Sequence, residues 1–166
     1  MTPRRVLISL VFLWCAAIVA APILNTFGGP LAAAGSFLYQ VFSRVCHQLD
    51  ERSFHIAGYK FGVCIRCTAI YFAFFSGILF APFVTKRIGS RLSSRSLILL
   101  SALPMAVDVA LSVAGIHEST VITRLCTGAT FGFGLSIPLL EPLQELVQKI
   151  LSRSKTIVRT PYATKA

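Results

Sequence analysis

The stretch VCHQLDERSFHIAGYKFGVCIRCT, Val45 to Thr68, holds three of the chain's five cysteines and two of its three histidines. The chain on either side is almost pure hydrocarbon. Val6 to Phe27 is apolar, with Arg4 and Arg5 before it, and Thr68 to Val84 is rich in Phe and ends at Lys86 and Arg87. A bilayer crossing needs about 20 mostly apolar residues in a helix. The polar window therefore reads as a loop between membrane spans, and its cysteines and histidines as the chemistry that the loop carries.

Composition agrees. The 166 residues make one domain's worth of chain. Charged residues are only 13% and apolar residues 55%, where a soluble domain has about a quarter charged. Mean hydropathy is +0.74. The net charge of +10 sits in short clusters between apolar runs, the pattern of cytoplasmic loops rather than of a nucleic-acid-binding face. Nucleic acid is excluded as a partner on this ground.

Two further apolar runs follow, Leu97 to Ala114 and about Val121 to Leu140. The first run is longer than the roughly 7–15 apolar residues of a signal peptide core, so it is read as a retained span. Pro30 to Cys46 is apolar enough to enter lipid, but charge argues against a crossing. Lys86, Arg87, Arg91 and Arg95 form one basic group, and Lys149, Arg153, Lys155, Arg159 and Lys165 another. Both groups and Arg4–Arg5 belong inside, which requires an even number of crossings before Lys86. Residues 30–46 then form an interfacial or re-entrant helix. The expected fold is all-α: a polytopic membrane domain over 1–152 with four transmembrane helices (about 6–27, 68–84, 97–114 and 121–140) plus that helix. An outward Cys/His loop spans 43–67, a basic flexible cytoplasmic tail spans 153–166, and both termini are cytoplasmic.

Within the loop, Cys64-x-x-Cys67 is either half a zinc site or a redox dithiol. Cys46 and His47 lie upstream, and Cys46, His47, Cys64 and Cys67 together make the donor set of a structural zinc site. His55 could replace His47, because adjacent side chains diverge. Arg66 between the two cysteines, and the helix start near Cys67, favour thiolate. That suits a redox pair as well as a metal. A plain disulfide staple is a third possibility outside a plasma membrane.

Asp108 falls inside the third span and Arg124 inside the fourth. An ionisable group in a span costs several kcal/mol unless paired or hydrated. Each lies eight positions from Ile116, the centre of the turn between these helices, so antiparallel packing would bring them level. An Asp108–Arg124 ion pair is expected. His117 and Glu118 stand in the outer turn, and Ser119 or Thr120 is placed to cap the fourth helix. Asp108, Glu118 and Arg124 are the candidate catalytic groups. Gly128, Gly132 and Gly134 form a small face for close helix packing, and Cys15 and Cys126 read as packing thiols.

Taken together, Cys46-His47-Gln48, Arg52-Ser53-Phe54, Cys64-Ile65-Arg66-Cys67-Thr68, Asp108, Glu118-Ser119-Thr120, Arg124 and Thr127-Gly128 resemble the signature of a family of small prokaryotic multi-pass membrane proteins, a domain of unknown function. The resemblance covers about residues 42 to 135. The chain departs from the pattern at Ala69 and Val109, where the family has Gly. It implies an integral protein of a prokaryotic plasma membrane and supplies no substrate. The leading expectation is a membrane protein whose outward Cys/His cluster binds a thiophilic metal, zinc first. Alternatives are a thiol–disulfide oxidoreductase coupled to quinone, and an accessory subunit of a larger membrane complex. The expected partners are the lipid bilayer and other membrane subunits or further copies of the chain.

Overall fold

A computed structural model describes residues 2–88 and 93–159, with side chains outside the description at 84–88 and 154–159. The chain is mostly helical: α1 (Pro3–Thr26), α2 (Gly29–Phe42), α3 (Ile65–Ile88), α4 (Ser94–Val113) and α5 (Val121–Arg159). Between α2 and α3 lie a short 3-10 turn, Asp50–Arg52, and a hairpin of β1 (His55–Ile56) and β2 (Tyr59–Lys60). Ala57 and Gly58, at φ 50° and 84°, make the two-residue turn that this hairpin needs.

Among the described residues three helices are long and apolar enough to cross a membrane: Pro3–Thr26, Ile65–Phe83 and Ser94–Val113. At about 1.5 Å per residue, the 24 residues of α1 span about 36 Å. The expected fourth crossing lies in the first half of α5, where Arg124, several threonines and three glycines interrupt the hydrocarbon. The backbone of α5 continues as helix to Arg159, through the start of the expected tail. Arg91 and residues 160–166 lie outside the described residues, as do the side chains of Lys86, Arg87, Lys155 and Arg159.

Contacts fix the helix directions. Arg4 Nη2 donates to the carbonyls of Ile78 and Leu79 at 3.3 and 3.4 Å, and Cys15 Sγ lies 3.6 Å from the Tyr71 carbonyl. So α1 runs antiparallel to α3. Gly128 faces the Arg66 carbonyl and Ala69, Gly132 faces Ile70, and Gly77 faces Ser136. Position rises together on both helices, so α3 and α5 run parallel. Ser101 packs on Gly134 and Asp108 meets Ser119, which sets α4 antiparallel to both. Of the expected small face on α5, Gly128 and Gly132 pack on α3, whereas Gly134 turns to Ser101 of α4. A Cβ at Gly128 would come within 2.7 Å of the Arg66 carbonyl, and Gly132 is more crowded still against Ile70.

Two prolines help join the layers. Proline has no N–H, so the carbonyl four residues earlier loses its helical donor. Pro22 frees Ile18, whose carbonyl accepts from Gly62 N–H at 3.2 Å. Pro82 frees Ile78, which accepts from Arg4. α2 turns back along the upper half of α1, with Gly35 against Ala21 and Asn25 and Phe42 edge-on to Trp14 at 5.1 Å. Residues 29–42 thus fold back rather than run onward.

The core lies under the Cys loop, where Ile18, Phe42, Cys46 and Val63 are buried together. The outer faces are apolar and exposed, with Leu10, Phe12, Leu13, Phe80, Leu99, Leu100 and Leu103 all more than half exposed. In α4 the only buried residue among those described is Asp108. An apolar helix that buries only a carboxylate turns its hydrocarbon to lipid and its charge to the bundle.

Candidate metal centre

Cys46, Cys64 and Cys67 come together, with all three Sγ atoms within 4.8 Å of one another. Each reaches the site by a different local device. Cys46 follows the end of α2 and is buried. Gln48 is held at φ 50°, and its side-chain amide donates to the Tyr39 and Gly62 carbonyls at 2.9 and 2.7 Å. Its own carbonyl accepts from Lys60 Nζ at 2.8 Å. Gln48 therefore ties the Cys46 strand to α2 and to the segment leading into α3. Cys64 and Cys67 sit at the start of α3, where Thr68 Oγ1 donates to the Cys64 carbonyl at 3.1 Å.

The surroundings favour an anion at Cys46. Cys46 Sγ accepts backbone N–H bonds from Cys64 at 3.2 Å and Gln48 at 3.4 Å. The thiols of Cys64 and Cys67, first, and these N–H groups hold the Cys46 thiol far below its usual range, down to about 2. No disulfide joins the five cysteines in this structure. Cys15 is buried, whereas Cys126 is exposed on α5 and so is not a packing thiol.

His47 lines the same cavity as the three sulfurs but is not gathered with them. It is exposed and belongs to no ligand group with them among the described residues. Adjacent side chains diverge, and Cys46 is the one that turns inward. His55 lies 3.3 Å from Asp50 Oδ1 instead. His117 and Glu118 line a separate cavity with Glu51 and Arg52.

The expected Asp108–Arg124 pair does not form. Asp108 Oδ2 is bound by Arg66 Nη2 from α3, and Ser119 Oγ donates to the same oxygen at 2.9 Å. Ser119 Oγ also accepts from Arg66 Nη2 and Arg124 Nε, both at 3.2 Å. Arg124 thus joins Asp108 only through Ser119. Register along the α4–α5 hairpin did bring Arg124 to this level, but α3, packed along α5, delivers the long Arg66 side chain closer. Of the two capping candidates, Thr120 caps α5 through Thr123 N–H at 3.3 Å, which leaves Ser119 for the polar cluster. Sequence reasoning missed Ser119 as the hub and Gln48 as the clamp. The signal for Ser119 was its place in an outer turn beside two intramembrane charges.

A cavity of about 240 Å³ joins the two clusters, lined by Cys46, Cys64 and Cys67 on one side and by Arg52, Arg66 and Arg124 on the other.

With this geometry in view, comparison with known proteins is informative. Residues 46–137 match the family described as "Predicted membrane protein (DUF2085)". The chain belongs to this family. The match begins at Cys46 and takes in the cysteines, Arg66, Asp108, Ser119 and Arg124. An uncharacterized protein of Methanocaldococcus jannaschii is 35% identical over 112 residues, 68% of this chain and 72% of that protein. An uncharacterized protein of Methanothermobacter thermautotrophicus is 33% identical over 109 residues, 66% of this chain and 96% of that protein. No solved structure matches.

Proposed function

We propose that this membrane protein holds a thiophilic metal ion, zinc first, on Cys46, Cys64 and Cys67. The observation that carries the proposal is three free sulfurs within 4.8 Å of one another, one of them accepting two backbone N–H bonds. Tetrahedral zinc with Zn–S bonds of about 2.3 Å sets its sulfurs about 3.8 Å apart, so small side-chain movements close the triad on an ion. N–H bonds to ligand sulfur are the usual outer support of such sites. Three protein ligands is also the number in catalytic zinc sites, where the fourth position takes water or substrate.

The topology that goes with this is four crossings, with α5 as the fourth. Its support is that Gly128, Gly132 and Ser136 keep α5 beside α3 along the hydrocarbon-rich part of that helix. Arg4 and Arg5 begin α1 at the end where α3 approaches Lys86 and Arg87. By the excess of basic residues this end is cytoplasmic, and the cysteines face outward across a prokaryotic plasma membrane. α2, folded back along α1 with Leu31 and Phe37 exposed, dips into the outer leaflet.

Anaerobic purification in mild detergent, followed by elemental analysis and thiol counting on one sample, tests the proposal. About one zinc per chain, with three thiols that react only after chelation, is the expected result. Metal-free folded protein whose Cys64 and Cys67 close to a disulfide and reopen with quinone and reductant would replace the metal centre with a redox dithiol.

A further inference from the structure

The cavity beside the cysteines has a second wall that the metal proposal does not use. Arg52, Arg66 and Arg124 line it, and no Asp or Glu does. Asp108 lies behind Arg66 and neutralises one of the three guanidinium groups. Neither Arg52 nor Arg124 has a carboxylate at ion-pair distance among the described residues. Arg124 spends only its Nε, on Ser119, and Arg66 Nε is buried with no partner. Like charges around one cavity repel strongly where water is scarce. An arrangement of this kind is stabilised by an anion that takes several N–H donors at once. Guanidinium forks match the oxygens of a phosphate group.

Much of the remaining wall is hydrocarbon, beside His47, Gln48 and Ser112. Val45, Leu49 and Val113 are about half exposed or more at 49, 51 and 83%, and all three line the cavity with Val109. A charged floor under an apolar rim fits a ligand with a phosphate head and a hydrocarbon substituent.

We infer that the cavity formed by Arg52, Arg66 and Arg124 beside the cysteine triad is a binding site for a phosphate group. The group is either the head of an anionic lipid or a soluble phosphate. The site stands on the arginines and does not need the metal to be present.

The test is calorimetric titration of the detergent-purified chain with three probes at fixed salt: short-chain phosphatidic acid, inorganic phosphate, and the diacylglycerol with the same chains but no phosphate. Phosphatidic acid saturates the parent protein, and Arg52→Gln with Arg124→Gln weakens it at least tenfold. Arg153→Gln, in the basic tail, leaves it unchanged. Arg52 is exposed in the loop, so Arg52→Gln alone keeps the fold and still weakens binding severalfold. If phosphatidic acid binds far more tightly than phosphate, the ligand is a lipid. If both bind alike, it is a soluble phosphate. Equal binding of diacylglycerol, or binding that survives the arginine changes, overturns the inference. Metal content measured on the same samples separates the two proposals. Arginine-dependent binding to metal-free protein leaves this one standing and removes the metal centre. One zinc per chain with arginine-independent binding does the reverse.

Discussion

Buried Asp108 and half-buried Arg66 form an ion pair between α4 and α3, and Ser119 Oγ closes the triangle with hydrogen bonds to both. This pair connects the intramembrane charge to the cysteine loop, because Arg66 stands between Cys64 and Cys67. Removing one partner of a buried pair leaves the other charge uncompensated, which costs about 3–5 kcal/mol. Asp108→Asn and Arg66→Gln are each expected to lower stability by that order in detergent unfolding. Changing both to apolar residues of similar volume recovers much of the loss. Arg124→Gln costs less, since Arg124 meets the pair only through Ser119. Equal losses for Arg66 and Arg124 variants would mean that the carboxylate is shared between them.

Gln48 is expected to be as sensitive as a ligand without being one. Its amide donates to two part-buried carbonyls on different segments. Tyr39 keeps its Ser43 donor, so the loss falls on the Gly62 carbonyl and costs about 1 kcal/mol. Gln48→Ala should raise the rate at which Cys46 is alkylated several-fold while the helical content stays constant. An unchanged alkylation rate would show that the loop is held by Lys60 on the Gln48 carbonyl and by the Tyr39 hydroxyl on the Lys60 carbonyl.

Pro22→Ala offers a subtler test. Alanine restores an N–H that competes with Gly62 for the Ile18 carbonyl. The expected outcome is a straighter, unweakened α1 with a looser Cys loop. Hydrogen exchange at Gly62 should rise several-fold and exchange in α3 should not. Equal protection at Gly62 in both proteins would assign the docking of the loop to packing on Phe42 instead.

Gly132→Ala places a methyl against the Ile70 carbonyl, where no side chain can yield. Overpacking of this kind costs about 1–3 kcal/mol. Gly28→Ala meets nothing within 4 Å, and its cost comes only from its positive φ of 71°. A drop in melting temperature for Gly132→Ala with no change on Ala129→Ser, one turn away, identifies the α3–α5 contact as the cause.

Much of this architecture is written in composition. The apolar runs of α1, α3 and α4, the outer loop between α2 and α3 and the glycine face of α5 follow from hydrocarbon length and residue size, which are local properties. The cysteine triad was legible as well, because few other residue types concentrate donors in this way. Three features were not legible. Arg66 reaches Asp108 across 42 positions of chain, and no hairpin register encodes that. His47 lines the cavity beside the sulfurs without joining their cluster, which its place next to Cys46 in the sequence does not encode. Among the described residues, α5 is not one of the helices apolar enough to cross a membrane, because it packs small and polar residues against α3, a contact that the apolar run at 121–140 does not encode.

The central claim is that three sulfurs of one loop and one helix start share a metal. X-ray absorption at the zinc edge on anaerobically purified protein reads this directly. The predicted spectrum has three sulfur neighbours at about 2.3 Å and one lighter atom, with sulfur lost in the Cys46→Ser variant. A spectrum with only nitrogen and oxygen neighbours, or protein without zinc whose cysteines are oxidised, would contradict it.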